Sequence, residues 1–220
     1  MINNILFLLQ ISIISFTTIG FGLLGKEALV AYISLLFVIA NIFVIKQIQL
    51  FSWYATSADA FIIGISLALN LLQEFWGKEI ARKAIWISFL CSAVYMIMSQ
   101  FLIWYIPTKE DIFHPHITIV LQHSFRIVIA SFLSYLITQY IDISFYGYLK
   151  QKTKSRFFVI RNFISIAISQ LLDTILFSFL GLYGILYNIS HIILISYIIK
   201  LIAIGITIPW LFISKKILNK

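Results

Sequence analysis

Charge is what this sequence has least of. Only 11% of its 220 residues are Asp, Glu, Lys or Arg, while 61% are hydrophobic. Soluble domains carry about 25% charged residues, and so few charges cannot cover so much apolar surface in water. Acidic groups are scarcer still, 8 against 16 basic ones, which leaves a net charge of +8. The basic residues stand between hydrophobic runs. There is no long basic tract and no nucleic-acid motif, so the charge fits orientation signals for membrane insertion rather than a nucleic-acid partner. The one cysteine, Cys91, excludes an internal disulfide. Nucleophile elbows, phosphate loops and zinc-protease motifs are absent, so no enzyme activity and no cofactor are expected. Any drive from ATP would need partner subunits.

What is present is a series of seven hydrophobic runs, at 5–24, 28–45, 59–75, 84–106, 117–141, 157–180 and 185–213. They are continuously apolar over lengths near the roughly 20 residues that a spanning helix needs, without the alternation of barrel strands. The expected fold is an all-α integral membrane protein, one domain over 1–220, built as a bundle of six or seven transmembrane helices. The third segment is short or broken. The N-terminal run has no basic region before it and no convincing cleavage site, so it reads as a retained helix. Cytoplasmic loops are enriched in Lys and Arg. With all seven runs spanning and the C-terminus inside, Lys26, the Lys78–Lys83 cluster, the 150–161 cluster and the C-terminal lysines fall on the cytoplasmic side, with Lys46 and Lys109 opposite. If the third run does not span, the N-terminal half of this count is tied.

Ionisable groups at membrane depth are expensive and face a cavity or a partner. Asn70, Gln73 and Glu74 share one helix face, leading into Phe75, Trp76 and the helix stop Gly77. Either they line a site, or they cap the membrane boundary with Glu74 pairing Lys78. Further on, Ser131, Ser134, Thr138 and Asp142 form a stripe with Gln139 beside it. A shift of 31 residues superposes this on Asn162, Ser165, Ser169 and Asp173 with Gln170. On consecutive antiparallel helices that is the pattern of an inverted repeat, or of small polar residues that join helices. Arg126 and Arg161 stand in or near the same runs, Arg161 close enough to an end to snorkel. Lys200 lies mid-run. His114, His116 and His123 lack the carboxylate spacing of a catalytic zinc site, and no metal is expected.

The run from Leu69 to Lys78, followed by Ala81-Arg82-Lys83-Ala84, resembles the family of queuosine precursor transporters, also called the VUT family. Arg126 with Ala130-Ser131, Gln139 with Asp142, Arg161-Asn162, and Ser169-Gln170 with Asp173-Thr174 and Phe177 resemble its second half. The resemblance covers about 59–209, with 1–24 an additional N-terminal helix. Asn70 stands where many members have Asp, and Gln73 where many have Asn. The resemblance implies an importer of 7-deazaguanine bases for tRNA modification: 7-cyano-7-deazaguanine, 7-aminomethyl-7-deazaguanine or queuine. It implies a bacterial inner-membrane location, and the Lys and Arg bias puts the expected C-terminus in the cytoplasm. A guanine-like edge offers donors that carboxylates and amides accept, and acceptors that Arg, Asn or Gln can meet. The candidate substrate-binding residues are Asn70, Gln73, Glu74, Phe75, Trp76, Arg126, Gln139, Asp142, Arg161, Asn162, Gln170, Asp173 and Phe177. The partners are a nucleobase-like small molecule and the lipid bilayer, with a homo-oligomer left open. The alternative is the substrate-binding membrane subunit of an energy-coupling-factor type vitamin transporter.

Overall fold

In the computed structural model, residues 2–44, 46–51, 53–121, 125–184 and 189–218 are described, with the side chains of 125–128 and 182 outside that description. The elements run α1 (Ile2–Leu23), α2 (Lys26–Phe43), β1 (Gln47–Leu50), β2 (Trp53–Thr56), α3 (Asp59–Trp76), α4 (Lys78–Trp104), α5 (His114–Leu121), α6 (Phe125–Lys152), α7 (Phe158–Phe177) with a π-helical turn at Ser178–Leu182, and α8 (Ile189–Leu218). Among the described residues six helices, α1 to α4, α7 and α8, are long and apolar enough to cross a membrane. The seventh long helix, α6, has 28 residues and packs antiparallel on α7. The chain is a multi-pass helical membrane bundle.

The third segment is not broken. It forms one continuous 18-residue helix, and 13 of those residues are buried. Its neighbours explain this, because α1, α2, α4, α6, α7 and α8 all pack against it. A helix surrounded by protein need not be apolar enough to face lipid, which is why its polar face is tolerated. The segment reads as short because it turns sharply at each end. Gly77, with φ of 97°, closes α3 and opens α4 in a backbone region that favours glycine.

The fifth run covers most of the short α5 and the first part of α6, which extends past it to Lys152; residues 122–124 between the two lie outside the described residues. Between α2 and α3 lies an antiparallel hairpin, with Gln47 paired to Thr56 and Leu50 to Trp53. It is held against the start of α1, where Asn3 Nδ2 donates to Gln49 O at 3.2 Å and Asn4 Oδ1 accepts from Phe51 N at 3.0 Å. Leu50 and Ala55 are buried under it.

The short connections make successive spans alternate in direction. One end of the bundle holds the α1–α2, α3–α4 and α6–α7 turns and the end of α8, and with them Lys26, Lys78, Arg82, Lys83, Lys150, Lys152, Lys154, Arg156, Lys215 and Lys216. The hairpin and α5 mark the other end, which carries Lys46 and Lys109 together with Glu110 and Asp111.

Candidate functional site

Three polar groups lie on the α3–α6–α7 seam, stacked along the bundle axis. The first is at the basic end. Arg161 opens α7 as the largest fully buried side chain. Its Nη2 donates to Glu74 Oε1 at 2.9 Å, and its Nη1 to Arg156 O at 3.0 Å. Glu74 Oε2 accepts from the Tyr146 hydroxyl at 2.8 Å and pairs with Lys150 Nζ at 3.2 Å. Lys150 Nζ also donates to Glu74 O at 2.8 Å. Glu74 therefore pairs with cations from α6 and α7 rather than capping its own helix through Lys78. Arg161 ties α3 to a turn in which Lys154, Ser155 and Phe157 all have positive φ, a conformation that costs non-glycine residues about 1 kcal/mol or more each.

The second group lies at the opposite end. Lys200 of α8 donates to Asp173 Oδ2 of α7 at 2.8 Å and stands 4.0 Å from Asp59 Oδ1 at the start of α3. Twelve residues of α7 separate Arg161 from Asp173, about 18 Å of helix rise. Glu74 and Asp173 are therefore not neighbours: each belongs to an ion-pair cluster at its own end.

The third group fills the distance between them. Ser66, Asn70 and Gln73 of α3 face Thr138, Gln139 and Asp142 of α6 and Asn162, Ser165, Ser169 and Gln170 of α7, all buried. Gln139 Nε2 and Gln170 Nε2 both donate to Ser66 Oγ, at 3.3 and 3.1 Å. The Ser165 hydroxyl donates to Asp142 Oδ1. Gln73 Nε2 donates to Ile143 O at 2.9 Å. That approach depends on Gly147, where an added Cβ would lie 3.0 Å from the Gln73 amide nitrogen. The two stripes thus share one interface, and the Gln139 and Gln170 related by the 31-residue shift meet at one hydroxyl.

Buried polar groups are almost always hydrogen-bonded. Here both side-chain polar atoms of Asn70, together with Gln73 Oε1, Ser134 Oγ, Thr138 Oγ1, Gln139 Oε1, Asp142 Oδ2, Asn162 Oδ1 and Gln170 Oε1, have no partner among the described residues. Each unmet group costs about 1–3 kcal/mol. Their concentration in one layer makes it the candidate binding site. Two surface grooves are lined by residues outside this layer. One, of about 250 Å³, is lined mainly by Leu149, Phe157, Ile160 and Ile164 and reaches Arg161. The other, of about 580 Å³, runs along Arg82, Lys83, Trp86 and Tyr140.

Of the sequence candidates, Asn70, Gln73, Gln139, Asp142, Asn162 and Gln170 come together in the layer. Glu74 and Arg161 pair at its basic end, with Phe75 packed near Trp76 and Phe158. Asp173 belongs to the opposite cluster. Phe177 ends α7 against Gly181. The Arg126 side chain and His123 lie outside the described residues. Sequence reading missed Asp59, Ser66, Tyr146 and Lys150 as site residues. Asp59 looked like a helix start, Lys150 like one of several loop cations, and Ser66 and Tyr146 carry no charge to mark them.

A multi-pass bundle with a buried polar layer between two ionic closures defines the class: a helical membrane transporter. Residues 56–214 match the family described as "Putative vitamin uptake transporter", and the chain belongs to that family. It is 30% identical over 198 residues, 88% of this chain and 86% of its relative, to a protein of Bacillus subtilis (strain 168) named "Probable queuosine precursor transporter". No solved structure matches the chain.

Proposed function

We propose that the chain imports 7-deazaguanine precursors of queuosine across a bacterial inner membrane. The observation that supports this most is the layer of buried, unpartnered amide and carboxylate atoms on α3, α6 and α7. A purine-like base presents several donors and acceptors in one plane, and amides paired with a carboxylate answer such an edge. The name of the Bacillus relative agrees with this substrate class.

Transport proceeds without covalent chemistry. The Glu74–Arg161–Tyr146–Lys150 cluster closes one end of the layer, and the Asp59–Lys200–Asp173 cluster closes the other. Alternating access opens one closure while the other holds. Each closure joins α3 to α7, directly or through Lys200, so a rocking of α3 against α7 breaks one and keeps the other. The excess of Lys and Arg at the basic end supports a cytoplasmic position for that end and for the C-terminus.

The test is expression of the chain in a bacterium that cannot make queuosine, with each precursor supplied and queuosine measured in tRNA. Restored queuosine is the expected result. Its absence with every precursor, from a chain found in the membrane, overturns the proposal.

A further inference from the structure

The polar layer is unequal in what it offers a ligand. Gln73 Nε2 donates to Ile143 O, and Asn162 Nδ2 donates to Phe158 O at 3.0 Å. Carbonyl oxygens only accept, so both amide orientations are fixed. Gln73 Oε1 and Asn162 Oδ1 are left as free acceptors. Gln139 and Gln170 both reach Ser66 Oγ. A hydroxyl has one proton to give, so at least one glutamine must donate there and present its own oxygen to the layer. Asp142 has one oxygen engaged by Ser165, the Ser169 hydroxyl also stands beside the carboxyl, and Oδ2 is buried without a well-formed hydrogen bond among the described residues. Against these acceptors stand Asn70 and the Ser134 and Thr138 hydroxyls, which can serve in either sense, and Arg161 Nε, whose guanidinium is already engaged by Glu74.

An acceptor-rich layer that includes a buried carboxylate complements a ligand rich in donors and positively charged. Leaving such a carboxylate unpaired costs several kcal/mol, which a bound cation offsets. We propose that the layer selects, among 7-deazaguanine bases, the one carrying a protonated aminomethyl group over the one carrying a nitrile, and that Asp142 is the specificity-determining counter-charge. This rests on the function proposed above. The ammonium brings three N–H donors and a charge, whereas a nitrile nitrogen only accepts and would face oxygen atoms.

The experiment uses the full chain purified in detergent, with labelled 7-aminomethyl-7-deazaguanine displaced by the unlabelled aminomethyl and cyano bases. Wild type is expected to require about tenfold more cyano base than aminomethyl base for half-displacement, the size of one charge-assisted hydrogen bond. In Asp142→Asn, followed with labelled base of each kind, aminomethyl binding weakens about tenfold more than cyano binding does. The wild-type ratio is informative even if that variant does not fold. Equal or better binding of the cyano base by wild type, or an unchanged ratio in a folded Asp142→Asn, overturns the selectivity claim alone. Failure of wild type to bind either base overturns both this claim and the transport function on which it rests.

Discussion

Arg161 and Glu74, 87 residues apart in sequence, meet at 2.9 Å and fasten the start of α7 to the end of α3. Arg161 has almost no exposure, and Glu74 little. Removing one partner of a buried pair strands the other, at a cost of about 3–5 kcal/mol. Arg161→Met is therefore expected to lower the thermal unfolding midpoint of the detergent-solubilised protein markedly. Glu74→Gln, which keeps the shape and leaves two cations unbalanced, is expected to insert normally and lose uptake. Normal uptake by Glu74→Gln would remove the basic-end cluster from the transport cycle.

The opposite cluster makes an ordered prediction. Lys200→Met strands two carboxylates, Asp59 and Asp173. Asp173→Asn leaves Lys200 with Asp59. The first substitution is expected to destabilise more than the second, and adding Asp173→Asn to Lys200→Met is expected to recover part of the loss, by roughly 1–3 kcal/mol. Scanning fluorimetry of the three variants reads this order. Strictly additive losses would mean that the groups do not interact.

Gly147 supplies a packing test. An alanine there must displace the Gln73 amide, which costs its bond to Ile143 O, about 1 kcal/mol or somewhat more. Gly147→Ala is expected to weaken substrate binding and lower the melting temperature. Gly205→Ala is the control: nothing lies within 4 Å of an added Cβ, and a helix-interior alanine adds about 0.5–1 kcal/mol of stability. Two variants with the same effect would contradict this local account of the α3–α6 approach.

Orientation can be read chemically. In a Cys91→Ser background, Lys109→Cys is expected to react with a membrane-impermeant maleimide added to intact cells, and Lys152→Cys only after the cells are opened. The reverse pattern would invert the bundle.

The spans were legible because lipid imposes a single demand, some 20 apolar residues at a stretch, and among the described residues six of the seven long helices meet it by composition. The polar residues that form the layer were legible for the same reason, since Asn70, Gln73, Asp142 and Gln170 stand out against apolar surroundings. Their partners were not. Glu74 has a lysine four residues ahead, and only the tertiary packing reveals that it is held by Lys150 and Arg161 instead. Asp59 and Asp173, 114 residues apart, are joined by one ammonium on a third helix. The hairpin between α2 and α3 is four residues a side, too short for a pattern of period two to register against the flanking runs.

The most direct measurement is uptake of a labelled 7-deazaguanine base into sealed vesicles that contain this chain and no other protein, with wild type set beside Gln139→Leu/Gln170→Leu. Those substitutions remove both amides that meet at Ser66 and leave the two ion-pair clusters untouched. Saturable uptake by wild type, lost in the double variant while its melting temperature stays close to wild type, is the predicted result. Undiminished uptake by the double variant would mean that the buried layer on α3, α6 and α7 is not where the substrate binds.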